Sequence, residues 1–159
     1  VGAFGDCVRG LQSRGLWEPL AAWLAADKPF LGICVGYQML FEESEESPGV
    51  RGFGFFAGKV KRFSTPGLKV PQIGWNSVHL RQTHPVTAGF PGGGHCYFVN
   101  SYFAVPADAA DVLGATSYGV DFCSIVAHEN IVATQFHAEK SGALGLRLLA
   151  DFAAWDGRC

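Results

Sequence analysis

The sequence predicts an α/β fold in which helices flank a layered, mixed β-sheet. Three observations carry this. Segments with helical spacing stand at both ends of the chain. Between them lie short β-like runs separated by proline- and glycine-bearing stretches. One early apolar run passes through two glycines straight into a helix-like segment, the strand–turn–helix unit of a layered fold.

The chain has 159 residues, enough for a sizeable core, and 48% hydrophobic against 16% charged residues marks it as globular. A formal net charge of -2 gives no electrostatic reason to expect nucleic acid or a membrane surface as partner. No apolar run approaches the roughly 18 residues that span a bilayer. The cysteines are Cys7, Cys34, Cys96, Cys123 and Cys159, an odd number without a Cys-x-x-Cys pair. That disfavours a disulfide scaffold or a structural zinc site, and a reducing, cytoplasmic setting is expected. The whole chain, 1–159, reads as one domain.

The elements follow in order. Residues 5–26 are helical in pattern, broken near Gly15, with Leu20, Trp23 and Leu24 spaced for a buried face. Pro29 stops that pattern, and Phe30-Leu31-Gly32-Ile33 reads as a short buried strand. Val35 to Phe41 reads as a helix, followed by the acidic residues Glu42, Glu43, Glu45 and Glu46. Residues 49–58 are turn-like. Strand signals follow at 60–63, 77–80, 96–103, 112–117, 122–127 and 131–136. The last helix is expected over 142–155, with Leu144, Leu148 and Phe152 on one stripe and Ser141 as N-cap.

The strongest local signal is Lys28-Pro-Phe-Leu-Gly-Ile-Cys-Val-Gly-Tyr-Gln38. A buried strand enters Gly32-x-Cys34-x-Gly36 and leaves as a helix, the cysteine form of a nucleophile elbow. Small neighbours allow a strained turn that projects the thiol into a cleft. The helix start favours thiolate over thiol, and its first free N–H, that of Val35, is placed to bind a developing oxyanion.

A cysteine nucleophile needs a base and a group to orient that base. Among the histidines only His137 ends a buried run and is followed at i+2 by a carboxylate, in Thr134-Gln-Phe-His-Ala-Glu-Lys140. In extended chain His137 and Glu139 share a side, so the imidazole is expected between carboxylate and thiol. His79, His84, His95 and His128 read as surface or turn residues. The remaining cysteines read as packing residues. Gly52-x-Gly54 lacks the dinucleotide fingerprint and its frame.

Together, Gly-Ile-Cys34-Val-Gly-Tyr-Gln38 and Gln-Phe-His137-Ala-Glu139-Lys resemble the class I (triad) glutamine amidotransferases, whose fold is flavodoxin-like. Further blocks resemble the glutaminase subunits of imidazole glycerol phosphate synthase. They are Val1-Gly-Ala-Phe-Gly5, Phe41-Glu-Glu-Ser-Glu-Glu46, Pro71-Gln-Ile-Gly-Trp-Asn76, Tyr97-Phe-Val-Asn-Ser-Tyr102 and Glu139-Lys-Ser-Gly142. The resemblance implies hydrolysis of glutamine through a Cys34 thioester, with no cofactor and no metal. It implies transfer of the ammonia to a cyclase subunit in a heterodimer of histidine biosynthesis. Gln38 and Glu46 would bind glutamine, Glu46 through its α-ammonium. The Ser101 and Tyr102 backbone would hold its carboxylate, and Gly2 with Val35 would supply the oxyanion donors. Trp75, Asn76, Tyr97 and Lys140 would face the cyclase.

Departures from the family pattern are Ala138 for the usual proline and Asn100 for the usual histidine. The pattern also places a further βαβ-sized unit, on the order of 30 residues, before Val1. An N-terminally truncated domain with an open sheet edge, weakly stable or weakly active, is therefore expected. Two alternatives stay open: another triad amidotransferase, disfavoured by the Gly-Trp-Asn block, and an inert scaffold subunit.

Overall fold

The computed structural model describes residues 2–64 and 66–157. The N-terminal helical region is two helices, α1 (Phe4–Ser13) and α2 (Trp17–Ala25), parted at Gly15, whose φ of +67° favours glycine. Leu24 is buried as its spacing predicts, but Trp23 is 43% exposed. Its indole N–H instead donates to the Pro29 carbonyl, and the Lys28 ammonium lies over the ring. Helical spacing marked the stripe but not how far the neighbouring layer extends over it.

Strand β1 (Phe30–Ile33) follows, then α3 (Val35–Gln38), a single turn. The expected helix over 35–41 is thus cut short. Phe41 opens β2 (Phe41–Ser44), and Glu42 and Glu43 lie on that strand rather than beyond a helix. The remaining strands are β3 (Phe56–Arg62), β4 (Gln72–Leu80), β5 (Gly94–Asn100), β6 (Tyr102–Pro106), β7 (Val112–Ser117), β8 (Asp121–His128) and β9 (Ile131–Thr134). Helix α4 (Gly142–Ala154) closes the described chain.

Six strands form one sheet in the order β1-β9-β8-β7-β4-β5, and β2-β3-β6 form a second. The large sheet is mixed: β1 pairs parallel with β9, and every other pair is antiparallel. The apolar run expected at 96–103 is split at Ser101, its two halves serving different sheets.

β9 is buried along its whole length, and its alternation feeds two cores. Val132, with Phe98, Phe122, Phe136 and Leu148, packs on the face covered by α4. Ile131 and Ala133, with Tyr37, Phe41, Phe56 and Val60, pack on the face toward α3 and the small sheet. A strand covered on both faces reads as a continuous apolar run. The strand ends carrying Cys34 and Gln135 are therefore held between two packed layers.

Candidate active site

Cys34 stands between β1 and α3 with φ +54° and ψ −108°, a strained setting for a non-glycine residue. Its N–H donates to the Thr134 carbonyl at 2.8 Å, fastening the elbow to the end of β9. Gly32 makes the turn possible. A Cβ there would lie 3.0 Å from the Gly36 carbonyl oxygen and 3.0 Å from the Ala133 Cβ. Gly36 differs, since a Cβ on it meets nothing within 4 Å; only its backbone is approached.

Burial pushes the Cys34 thiol above its ordinary pKa; the Val35 N–H bond to the sulfur draws it back in part, and the Glu139 charge pushes it up again. The N–H at the helix start thus acts toward the thiolate, and burial outweighs it. One turn of helix carries little macrodipole, and desolvation of the anion is the larger effect. Burial lifts Cys96 and Cys123 further, both up to about 12, in keeping with packing roles. Cys159 lies outside the described residues.

His137 follows β9 and is 4% exposed. Its Nδ1 and the Glu139 Oε1 are 2.7 Å apart. The pair meets across a 3-10 turn, Ala138–Lys140, not along an extended strand as the i+2 spacing implied. Ala138 is fully buried in that turn, and a Cβ at Gly145 would strike the Ala138 carbonyl oxygen. Helix α4 thus presses the turn into place. Ser141, expected as a helix cap, makes no capping bond. Its hydroxyl donates to the His137 carbonyl at 2.6 Å and accepts from the Tyr97 N–H at 3.0 Å. Partial burial raises the Glu139 carboxyl, but the His137 hydrogen bond and nearby positive charge outweigh it and hold the group below its usual range. His137 Nε2 is buried without a hydrogen-bond partner among the described residues. The imidazole is therefore oriented at one nitrogen and open at the other.

A cavity of about 360 Å³ opens beside the thiol. Gly2, Cys34, Val35, Gln38, Glu46, Asn100, Ser101 and Tyr102 all line it, so the structure gathers the expected substrate and oxyanion positions around one space. Two of them have internal duties as well. Gln38 Nε2 donates to the Tyr102 carbonyl at 3.1 Å and to Gln135 Oε1 at 2.9 Å. Glu46 Oε2 accepts from the Phe4 N–H at 2.7 Å, tying down the start of α1. Gly2, expected as an oxyanion donor, belongs to no strand, and Val1 lies outside the described residues.

Trp75 is 56% exposed, its ring edge-on to Tyr97, and a Cβ on Gly142 would come within 3.8 Å of its Cη2. Lys140 is exposed in the adjacent turn. Asn76 does not share this face in its bonding. Its amide N–H donates to the exposed Ser117 carbonyl and its oxygen accepts from the Ser77 N–H. The other histidines lie apart from the cavity. His79, His95 and His128 are exposed, and half-buried His84 accepts from the Val86 N–H.

Sequence reasoning missed Gln135. Fully buried, it accepts from Gln38 and places its Nε2 4.0 Å from Cys34 Sγ. Its only signal was a polar residue within an apolar run that leads to His137.

Residues 10–154 match the family model for class-I glutamine amidotransferases. The chain is 47% identical over 152 residues to imidazole glycerol phosphate synthase subunit HisH of Dehalococcoides mccartyi strain CBDB1, covering 96% of this chain and 74% of that protein. It is 51% identical over 162 residues to the HisH of Aromatoleum aromaticum strain EbN1, covering 97% and 76%. A glutamine amidotransferase structure from Thermotoga maritima shares the fold with a TM-score of 0.63 at 19% identity, over 95% of this chain and 57% of that one. The chain belongs to the class-I glutamine amidotransferase family and, within it, to the HisH subunits.

Proposed function

We propose that this chain hydrolyses glutamine at Cys34 and delivers the ammonia to the cyclase subunit of imidazole glycerol phosphate synthase, with 1–159 acting as one amidotransferase domain. The juxtaposition of a strained cysteine at the end of β1 with an oriented His–Glu pair just past its parallel neighbour β9 carries the reading.

Glutamine binds in the Cys34 cavity, with its α-ammonium on the Glu46 carboxylate and its α-carboxylate on the Ser101–Tyr102 backbone. The open Nε2 of His137 takes the thiol proton as Cys34 Sγ attacks the carboxamide carbon. The oxyanion that forms is met by the Val35 N–H, with Gly2 as second donor. The carbon–nitrogen bond breaks as His137 returns the proton to the leaving nitrogen, releasing ammonia and a cysteinyl thioester. His137 then removes a proton from water, which cleaves the thioester to glutamate and restores the thiol. Glu139 keeps Nδ1 protonated and steadies the imidazolium; its lowered pKa keeps it ionised throughout.

Trp75, Tyr97 and Lys140 form the docking face, with Asn76 beside it, bonded to Ser117. A cytoplasmic heterodimer fits this role, and no helix among the described residues is long and apolar enough to cross a membrane.

Glutamate release by the purified chain tests the proposal. It should rise at least tenfold on adding cyclase with its nucleotide ligand, and Cys34→Ala should abolish it. No rise, or activity surviving Cys34→Ala, overturns it. An electrophilic glutamine analogue that fails to label Cys34 while the cyclase still binds would favour a scaffold role instead.

A further inference from the structure

Two buried oxygens beside the cavity have no donor. Gln72 is 3% and Asn100 5% exposed, and neither Gln72 Oε1 nor Asn100 Oδ1 has a hydrogen-bond partner among the described residues. They are direct cross-strand partners on β4 and β5, so their side chains leave the ladder within about 5 Å of each other. A buried acceptor without a donor costs about 1–3 kcal/mol, and two side by side mark a place where a small donor belongs.

Their surroundings connect two spaces. Asn100 lines the Cys34 cavity. Pro71, next to Gln72, lines that cavity and also a second one of about 530 Å³, bounded by Leu68, Lys69, Ile73 and Tyr118 on the outside of the molecule. Ile73 is 65% exposed and borders the face that carries Trp75. Asn100 therefore borders the thiol cavity directly, and Gln72, its cross-strand partner, lies one residue from Pro71, which borders both spaces. A hydrogen-bond chain sets the orientation of Asn100. Asn100 Nδ2 donates to the Tyr102 carbonyl, which also receives Gln38 Nε2, which bonds Gln135 next to the thiol.

We propose that Gln72 and Asn100 form an ammonia-holding station on the way from Cys34 to the partner. Ammonia carries three N–H donors, and two neutral carbonyl oxygens accept two of them without the charge that would trap it as ammonium. The assignment rests on the glutaminase reading above. Gln72 and Asn100 are positioning residues for product transfer and form no bond to the reacting carbon.

The test uses the complex with cyclase, glutamine as sole nitrogen source, and glutamate and imidazole glycerol phosphate measured in one reaction. The wild-type ratio of cyclase product to glutamate should lie near one. Gln72→Met, similar in length but without the acceptor, should lower it at least fivefold, with free ammonium appearing in the medium. Gln72→Glu, whose carboxylate would trap the nitrogen as ammonium, should lower it as well. With ammonium salt supplied instead of glutamine, all complexes should cyclise at equal rates. Should Gln72→Met fail to fold, Gln72→Val repeats the test in a strand-favouring side chain. A ratio near one in the variant that folds overturns the inference, because the oxygens then hold water only. A wild-type complex that releases no glutamate overturns the glutaminase reading, and this inference with it.

Discussion

At Cys34, burial and the elbow act in opposite directions, and burial prevails. The charged form of a thiol is the deprotonated one, so desolvation raises its pKa and lowers the thiolate fraction at neutral pH. Iodoacetamide labelling of Cys34 in the chain alone should therefore titrate with a midpoint above the ordinary thiol value of about 8.5. A midpoint at or below 7 would show that the helix start dominates after all. The glycine-flanked cysteine and the His137–Glu139 pair were legible as residues, because strained turns and short-range pairs leave local marks. Gln135 was not, because its bonds to Gln38 and its approach to Cys34 join positions 97 and 101 residues apart.

Among the elements, the strand–elbow–helix unit rests on Gly32 more than on Gly36. Gly32→Ala would push its Cβ into the Gly36 carbonyl and Ala133, and overpacking of this kind costs about 1–3 kcal/mol. Gly36→Ala has open space and a helical setting, where alanine gains about 0.5–1 kcal/mol over glycine. Thermal unfolding should place Gly32→Ala below the wild-type Tm and Gly36→Ala at or above it; the reverse order would contradict the packing. Element boundaries were less legible. The 96–103 run contains no proline or glycine, yet the chain changes sheets at Ser101. There the Asn100 amide bonds the Tyr102 carbonyl, and the Ser101 carbonyl accepts from the Phe63 N–H. The first half of β4 was hidden because Pro71 and Gly74 read as turn signals, whereas Gly74, at φ +135°, sits inside a paired strand.

For the molecule as a whole, the exposed Trp75 with Tyr97 and Ile73 is the aromatic, half-apolar kind of surface that interfaces use as anchors. Trp75→Ala should weaken cyclase binding at least tenfold, read by titration calorimetry. The unfolding free energy of the isolated chain should stay within about 0.5 kcal/mol of wild type, as for other surface changes. Equal binding by both would remove Trp75 from the interface. The sequence by itself determined the α/β class, the elbow and the His–Glu pair, because each is written in short-range periodicity, glycine spacing and adjacent residue types. Only the tertiary structure decided which residues surround the thiol, which strands leave for the second sheet, and that Gln72 and Asn100 keep oxygens unpaired among the described residues. Those outcomes depend on parallel pairing of β1 with β9 and on two layers closing over β9, contacts between distant positions that no local pattern records.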